Sequence, residues 1–160
     1  MFELLKKSFL YLRLNQSKTM KYIIGFTMLL FIAPNAFSQQ ADDLLGVWFN
    51  QEKSAKIQIF KVGEKYDGKI IWLKEPMRDG EPKLDRENED EDLRSRPIIG
   101  LEILKDFEFD DDEWEDGTIY DPKNGETYSC YITKEGDKLN VRGYLGIALI
   151  GRTSIWTKAE

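Results

Sequence analysis

The chain has 160 residues, 41% of them hydrophobic and 32% charged, which leaves room for one ordinary domain after a leader and argues against disorder. Residues 1–38 carry five basic side chains and one acid, so residues 39–160 hold 18 basic against 28 acidic residues, a net charge of −10. A domain of that charge repels phosphate backbones, which argues against a nucleic-acid partner, and the lack of any histidine removes the commonest general base and metal ligand.

Residues 22–33 form an apolar run of twelve, preceded by Lys21 and broken by Pro34-Asn35. Ala36-Phe37-Ser38 then places small residues at the two positions a signal peptidase reads. This is the layout of a signal peptide, and twelve apolar residues fall short of the roughly 20 needed to span a bilayer. The mature chain is expected to begin at or near Gln39, with export to the periplasm or beyond the cell and no stable membrane span after cleavage. Met20 directly before Lys21 suggests that residues 1–19 reflect an upstream start. The alternative is an uncleaved N-terminal anchor.

The mature chain reads as short strands separated by turns. Leu45–Phe49 is the first. Lys56–Val62 alternates Ile57 and Ile59 with Lys56 and Gln58, the period of a half-buried strand. Gly63-Glu64-Lys65 turns the chain into Tyr66–Leu73. Residues 74–96 are polar and read as a long loop. Ile98–Phe109 follows, then the short Thr118–Asp121. Pro122-Lys123-Asn124-Gly125 is a strong turn signal, and Glu126–Thr133, Lys138–Tyr144 and Gly151–Lys158 complete the set. Eight antiparallel strands leave two exposed edges unless the sheet closes. The sequence therefore predicts an all-β, eight-stranded, antiparallel up-and-down barrel at 39–160, with a two-sheet sandwich as the competing architecture.

An eight-stranded barrel holds packed side chains or one small ligand. The aromatic residues Tyr66, Trp72, Tyr128 and Trp156 sit on strands where a ring face can line a pocket. Arg142 shares a strand face with Tyr144, a forked cation beside a phenol that can orient an anionic head. The expected ligand contacts are Arg142, Tyr144, Tyr66, Trp72 and Tyr128. The expected partner is a small amphipathic molecule such as a fatty acid, and the alternative is a filled barrel serving as a structural or interaction module. Residues 85–92 and 110–116 are acidic runs, read as solvated loops rather than metal sites. No pair of carboxylates or nucleophile-base spacing marks an enzyme, and no cofactor motif is present. Cys130 alternates with Tyr128 and Ile132 and reads as a small buried residue. Leu145–Ile150 is the most apolar stretch of the mature chain, read as a buried segment with glycines at bends, or else as an apolar mouth.

Three blocks carry a family resemblance: Leu93-Arg94-Ser95-Arg96-Pro97-Ile98-Ile99-Gly100, residues 117–128 (Gly117-Thr118 through Thr127-Tyr128), and Val141-Arg142-Gly143-Tyr144-Leu145-Gly146 running on to Gly151-Arg152-Thr153 and Trp156. With Gly46-Val47-Trp48 they resemble the bacterial exported family called domain of unknown function 2147. The resemblance implies a lipocalin-like barrel in a periplasmic or secreted setting and no established activity. Gly46-Val47-Trp48 near the start and Arg152 near the end suggest a lipocalin-type closure, in which Arg152 of the last strand packs across Trp48 of the first, both in structural roles, with Arg142 as the rival partner. One departure is that Asn88-Glu89-Asp90 stands where the family tends to read Asn-Pro-Asp.

Overall fold

The computed structural model describes residues 40–159; the expected leader lies outside the described residues. Eight strands close into an antiparallel barrel: β1 (Gly46–Phe49), β2 (Ala55–Val62), β3 (Lys65–Leu73), β6 (Glu102–Asp110), β7 (Glu113–Asp121), β8 (Glu126–Glu135), β9 (Lys138–Tyr144) and β10 (Gly151–Lys158). Two further pieces, β4 (Met77–Arg78) and β5 (Glu81–Pro82), form a small hairpin in the β3–β6 connection. Each barrel strand pairs with its sequence neighbour in the barrel, and β1 meets β10 at the seam, with Trp48 opposite Lys158 and Phe49 opposite Thr157.

Turn chemistry explains the hairpins. Gly63 and Gly136 take positive φ at the β2–β3 and β8–β9 turns. At the β6–β7 turn the same role falls to Asp111 and Asp112, both at positive φ, the backbone of a two-residue turn whose twist matches its flanking strands. The acidic run read as a loop is therefore a tight hairpin, and β7 begins at Glu113 rather than Thr118. Asp116, at φ 56°, marks the irregularity between Trp114 and Gly117 in the β7–β8 register. The expected strand at 98–109 starts only at Glu102, because Gly100 takes φ 95° and hands the chain into the sheet through Gly100 N–H to Ile70 O at 2.7 Å.

One end of the barrel is packed solid. Trp48, Tyr66, Phe107 and Trp114 are all at most 1% exposed, and a 3₁₀ turn at Ala41–Leu44 plugs the opening beneath them. Their polar atoms hold the plug: Trp48 Nε1 donates to Leu44 O at 2.9 Å, Trp114 Nε1 to Ala41 O at 2.9 Å, and the Tyr66 hydroxyl to Asp42 Oδ1 at 2.7 Å. Buried aromatic donors need such partners. The Tyr66 hydroxyl, with help from the Lys61 ammonium, holds the Asp42 carboxyl below its ordinary range. Gly117 lets the Phe107 ring lie on the backbone: a Cβ there would stand 2.4 Å from the ring.

The cation at the seam is Lys158, whose ammonium lies 5.2 Å from the centre of the Trp48 ring. This corrects the expected Trp48–Arg152 closure. The register seats Trp48 against Lys158 and places Arg152 opposite Gly143, at the other end of β10.

Candidate functional site

The other half of the barrel is hollow. A cavity of 1010 Å³ opens at the end opposite the plug. Its walls are the inward-facing residues of the strands, chiefly Ile57, Ile70, Ile103, Ile119, Val141 and Trp156. Alternation on each strand produces this apolar surface. The β3–β6 connection, residues 74–101, lies across the opening as a lid that contributes Lys74, Arg78, Lys83, Leu84 and Arg86 to the lining.

A buried polar cluster fixes the lid. Asp85 is fully buried and its carboxylate accepts from the Tyr120 hydroxyl at 2.6 Å, Asn88 Nδ2 at 2.9 Å and Arg96 Nε at 2.8 Å. Arg96 adds a second contact through Nη2 at 2.8 Å to the same oxygen, Oδ2, a charge-assisted pair, and its guanidinium lies 5.5 Å from the Tyr120 ring centre. Burial, followed by the Asp85 hydrogen bond, raises the Tyr120 phenol above its ordinary pKa. The turn at 88–90 forms without a proline: Asn88 Oδ1 accepts from Asp90 N–H and Asp90 Oδ1 from Asp92 N–H, local side-chain turns doing what a fixed φ would otherwise do. Gly125, at φ 78°, packs so tightly under the lid that a Cβ there would overlap the Glu87 carbonyl.

Only part of the expected ligand set reaches this cavity. Tyr128 lines it, with its hydroxyl accepting from Asn124 Nδ2 at 2.7 Å. Tyr144 touches the mouth but shares its strand face with Arg142, and its ring meets that of Tyr131 at 6.3 Å. Arg142 points outside: Leu139 and Val141 take the buried positions of β9, and the Arg142 guanidinium donates to Ala148 O at 2.9 and 2.7 Å and to Thr153 Oγ1 at 3.0 Å. Tyr66 belongs to the packed floor. Trp72 also faces outward. The β2–β3 register shifts between Lys56 and Ile57, Ile71 is the extra residue, and the Trp72 ring stands edge-on to Phe49 with Lys56 over it.

The residue that takes the expected place of Arg142 is Arg152. On β10 it shares the inward face with Ser154 and Trp156, and all three line the cavity. Gly143, its register partner, has no side chain, and its backbone lies close against the wall: a Cβ there would stand 3.2 Å from Ile119 Cγ2 and 3.5 Å from Tyr128 Cβ. Counting back in twos from the core Trp156 was the sequence signal for Arg152. The lid cations had no such signal, because loop residues carry no periodicity.

The segment 145–150 is exposed rather than buried. Leu145, Ile147, Leu149 and Ile150 are between 57% and 87% exposed, the loop is braced by Arg142 on the Ala148 carbonyl, and Leu145 and Ile150 stand on the cavity rim. Cys130 is buried as expected, and burial pushes its thiol up to about 12. Among the described residues, no group of three acidic, cysteine or histidine side chains is placed to hold a metal ion, and no helix is long and apolar enough to cross a membrane.

A family model described as "Uncharacterized protein conserved in bacteria (DUF2147)" matches residues 46–158, and the chain belongs to that family. Among solved structures, a protein from Helicobacter pylori, HP1028, described as belonging to the lipocalin family, superposes with a TM-score of 0.66 at 22% identity. The match covers 74% of this chain and 84% of the other. At that identity the likeness shows the shared lipocalin-like barrel. No curated protein matches the chain.

Proposed function

We propose that this protein is a non-enzymatic carrier that holds one small, partly apolar molecule inside its barrel. The observation that carries the reading is the division of the barrel along its axis, with a solid aromatic floor below and a 1010 Å³ apolar-walled cavity above. Binding sites for small molecules are commonly concavities of about 300–1000 Å³ with mainly apolar walls and a few convergent polar groups. A barrel serving only as a packed structural module has no use for such a volume, which forgoes roughly 20 cal/mol of packing per Å² of unfilled surface. The lipocalin-like fold is compatible with this role. The leader-like residues 1–38 add export to the reading, with the periplasm or the exterior as its place of action.

The test is titration of the purified protein with a neutral fluorescent apolar probe, N-phenyl-1-naphthylamine. Saturable binding near one probe per chain, lost in Val141→Trp while circular dichroism stays that of the parent, is the expected result. No saturable binding by folded protein refutes the carrier reading.

A further inference from the structure

The cavity's charge differs in sign from that of the domain around it. Residues 39–160 carry a net charge of −10. Yet the charged residues lining the cavity are six cations, Lys74, Arg78, Lys83, Arg86, Lys123 and Arg152, against the four acids Glu52, Glu75, Glu87 and Asp121. The acids are partly engaged: Glu75 pairs with Lys83 at 3.7 Å, Glu52 accepts from Asn50, and Asp121 accepts from the Lys123 backbone. Among the described residues the side chains of Lys74, Arg78, Arg86, Lys123 and Arg152 have no hydrogen-bond, ion-pair or ring partner. In a chain with acids to spare, five of the seven cations without a side-chain partner among the described residues, all but Lys53 and Lys138, line this apolar chamber.

We propose that the carried ligand is an amphipathic anion. Its chain lies among Ile57, Ile70, Ile119 and Val141, and its carboxylate or phosphate head is held at the mouth by Arg152 beside Tyr128, under the lid cations. This rests on the carrier reading above and names its ligand class. Arg152 suits the task because its planar fork donates two parallel hydrogen bonds to such a head, and because its strand position points it inward without burying it. A cleft lined by one sign of charge between low-dielectric walls focuses its field locally, so the mouth attracts an anion at short range although the whole domain repels one at long range. The geometry also sets the ligand's direction: head outward at the lid, tail toward Trp156 and the floor.

The experiment displaces bound N-phenyl-1-naphthylamine at pH 8 with dodecanoic acid, dodecyl phosphate and dodecanol, which share one chain and differ in the head. The expected result is that at least one anion displaces the probe at about tenfold lower concentration than the alcohol. Whichever anion is stronger identifies the head. Arg152→Gln removes most of that preference, Arg152→Lys retains part of it, and Lys138→Gln, exposed at the floor end of β9, retains all of it. Probe binding that all three compounds displace equally overturns the anion proposal and leaves the carrier standing, as does an unaltered preference in Arg152→Gln. Absence of saturable probe binding removes both.

Discussion

The Trp114 indole donates to the carbonyl of Ala41, 73 residues earlier in the chain. That bond ties the plug to a strand on the far side of the barrel, so the floor depends on a polar atom as well as on aromatic bulk. Trp114→Phe keeps most of the ring area and strands the Ala41 carbonyl. The expected cost is about 1–3 kcal/mol, measured as a lower urea midpoint with an unchanged denaturant slope.

The same plug sets an acid dependence. The Tyr66 hydroxyl and then Lys61 depress the Asp42 carboxyl below its ordinary 3.8. A depressed folded pKa contributes stability that is present above the unfolded value and lost as pH falls through the folded one. The Asp42 carboxyl carbon, followed by NMR, is expected to titrate below 3.8. In Tyr66→Phe its midpoint rises toward that value, and the loss of stability between pH 4 and pH 2 becomes shallower.

The lid hangs on Asp85. Arg96 supplies two of its contacts, and Arg96→Ala leaves a fully buried carboxylate with only Tyr120 and Asn88. Breaking one partner of a buried pair typically costs about 3–5 kcal/mol; with Arg96 itself one-third exposed, about 2–3 kcal/mol is expected. Hydrogen exchange is the discriminating measurement. Amides in residues 83–98 should lose protection well before those of Phe107 and Trp114.

Cys130 is placed to be silent. Its thiol is pushed up to about 12 by burial, so at pH 8 the folded protein should not react with a disulfide reagent such as dithionitrobenzoate, while one equivalent reacts on unfolding. A folded thiol pKa raised above the unfolded value of about 8.5 also contributes stability that is full below the unfolded value and lost as pH climbs through and beyond it. Cys130→Ala should flatten that alkaline loss between pH 9 and pH 11.

The strand order was legible because turn residues and alternation agree: Gly63, Gly136 and Pro122–Gly125 punctuate runs in which Ile57, Ile59, Cys130 and Ile132 alternate into the core. The site was less legible, and the reason is parity. On β9 alternation alone allows either face inward, and the pairing of Arg142 with Tyr144 favours the polar one, whereas Leu139 and Val141 occupy the interior. On β10 the inward face carries Arg152, Ser154 and Lys158 beside a lone Trp156, so it looks less apolar than the outward face with Ile155. Strands that run from a packed floor to an open mouth need not be apolar along their whole inner face. Trp72 was lost to a one-residue bulge at Ile71, which reverses facing without altering composition. Asp111-Asp112 hid a hairpin because aspartate tolerates the positive φ more often signalled by glycine.

The seam between the first and last strands has a kinetic consequence. Six of the eight pairings join strands linked by a single turn or short loop and one spans the lid, but β1 and β10 meet from opposite ends of the domain through only two register pairs, backed by Ala159 N–H to Val47 O at 2.8 Å. Hairpins form on local encounters, whereas this contact must wait for a loop of nearly the whole domain to close. Assembly should therefore proceed as a growing meander that becomes a barrel in its last step. In the native protein the same two-pair contact should be where the barrel breathes first, giving β1 and the end of β10 the fastest exchange among the amides of the eight barrel strands.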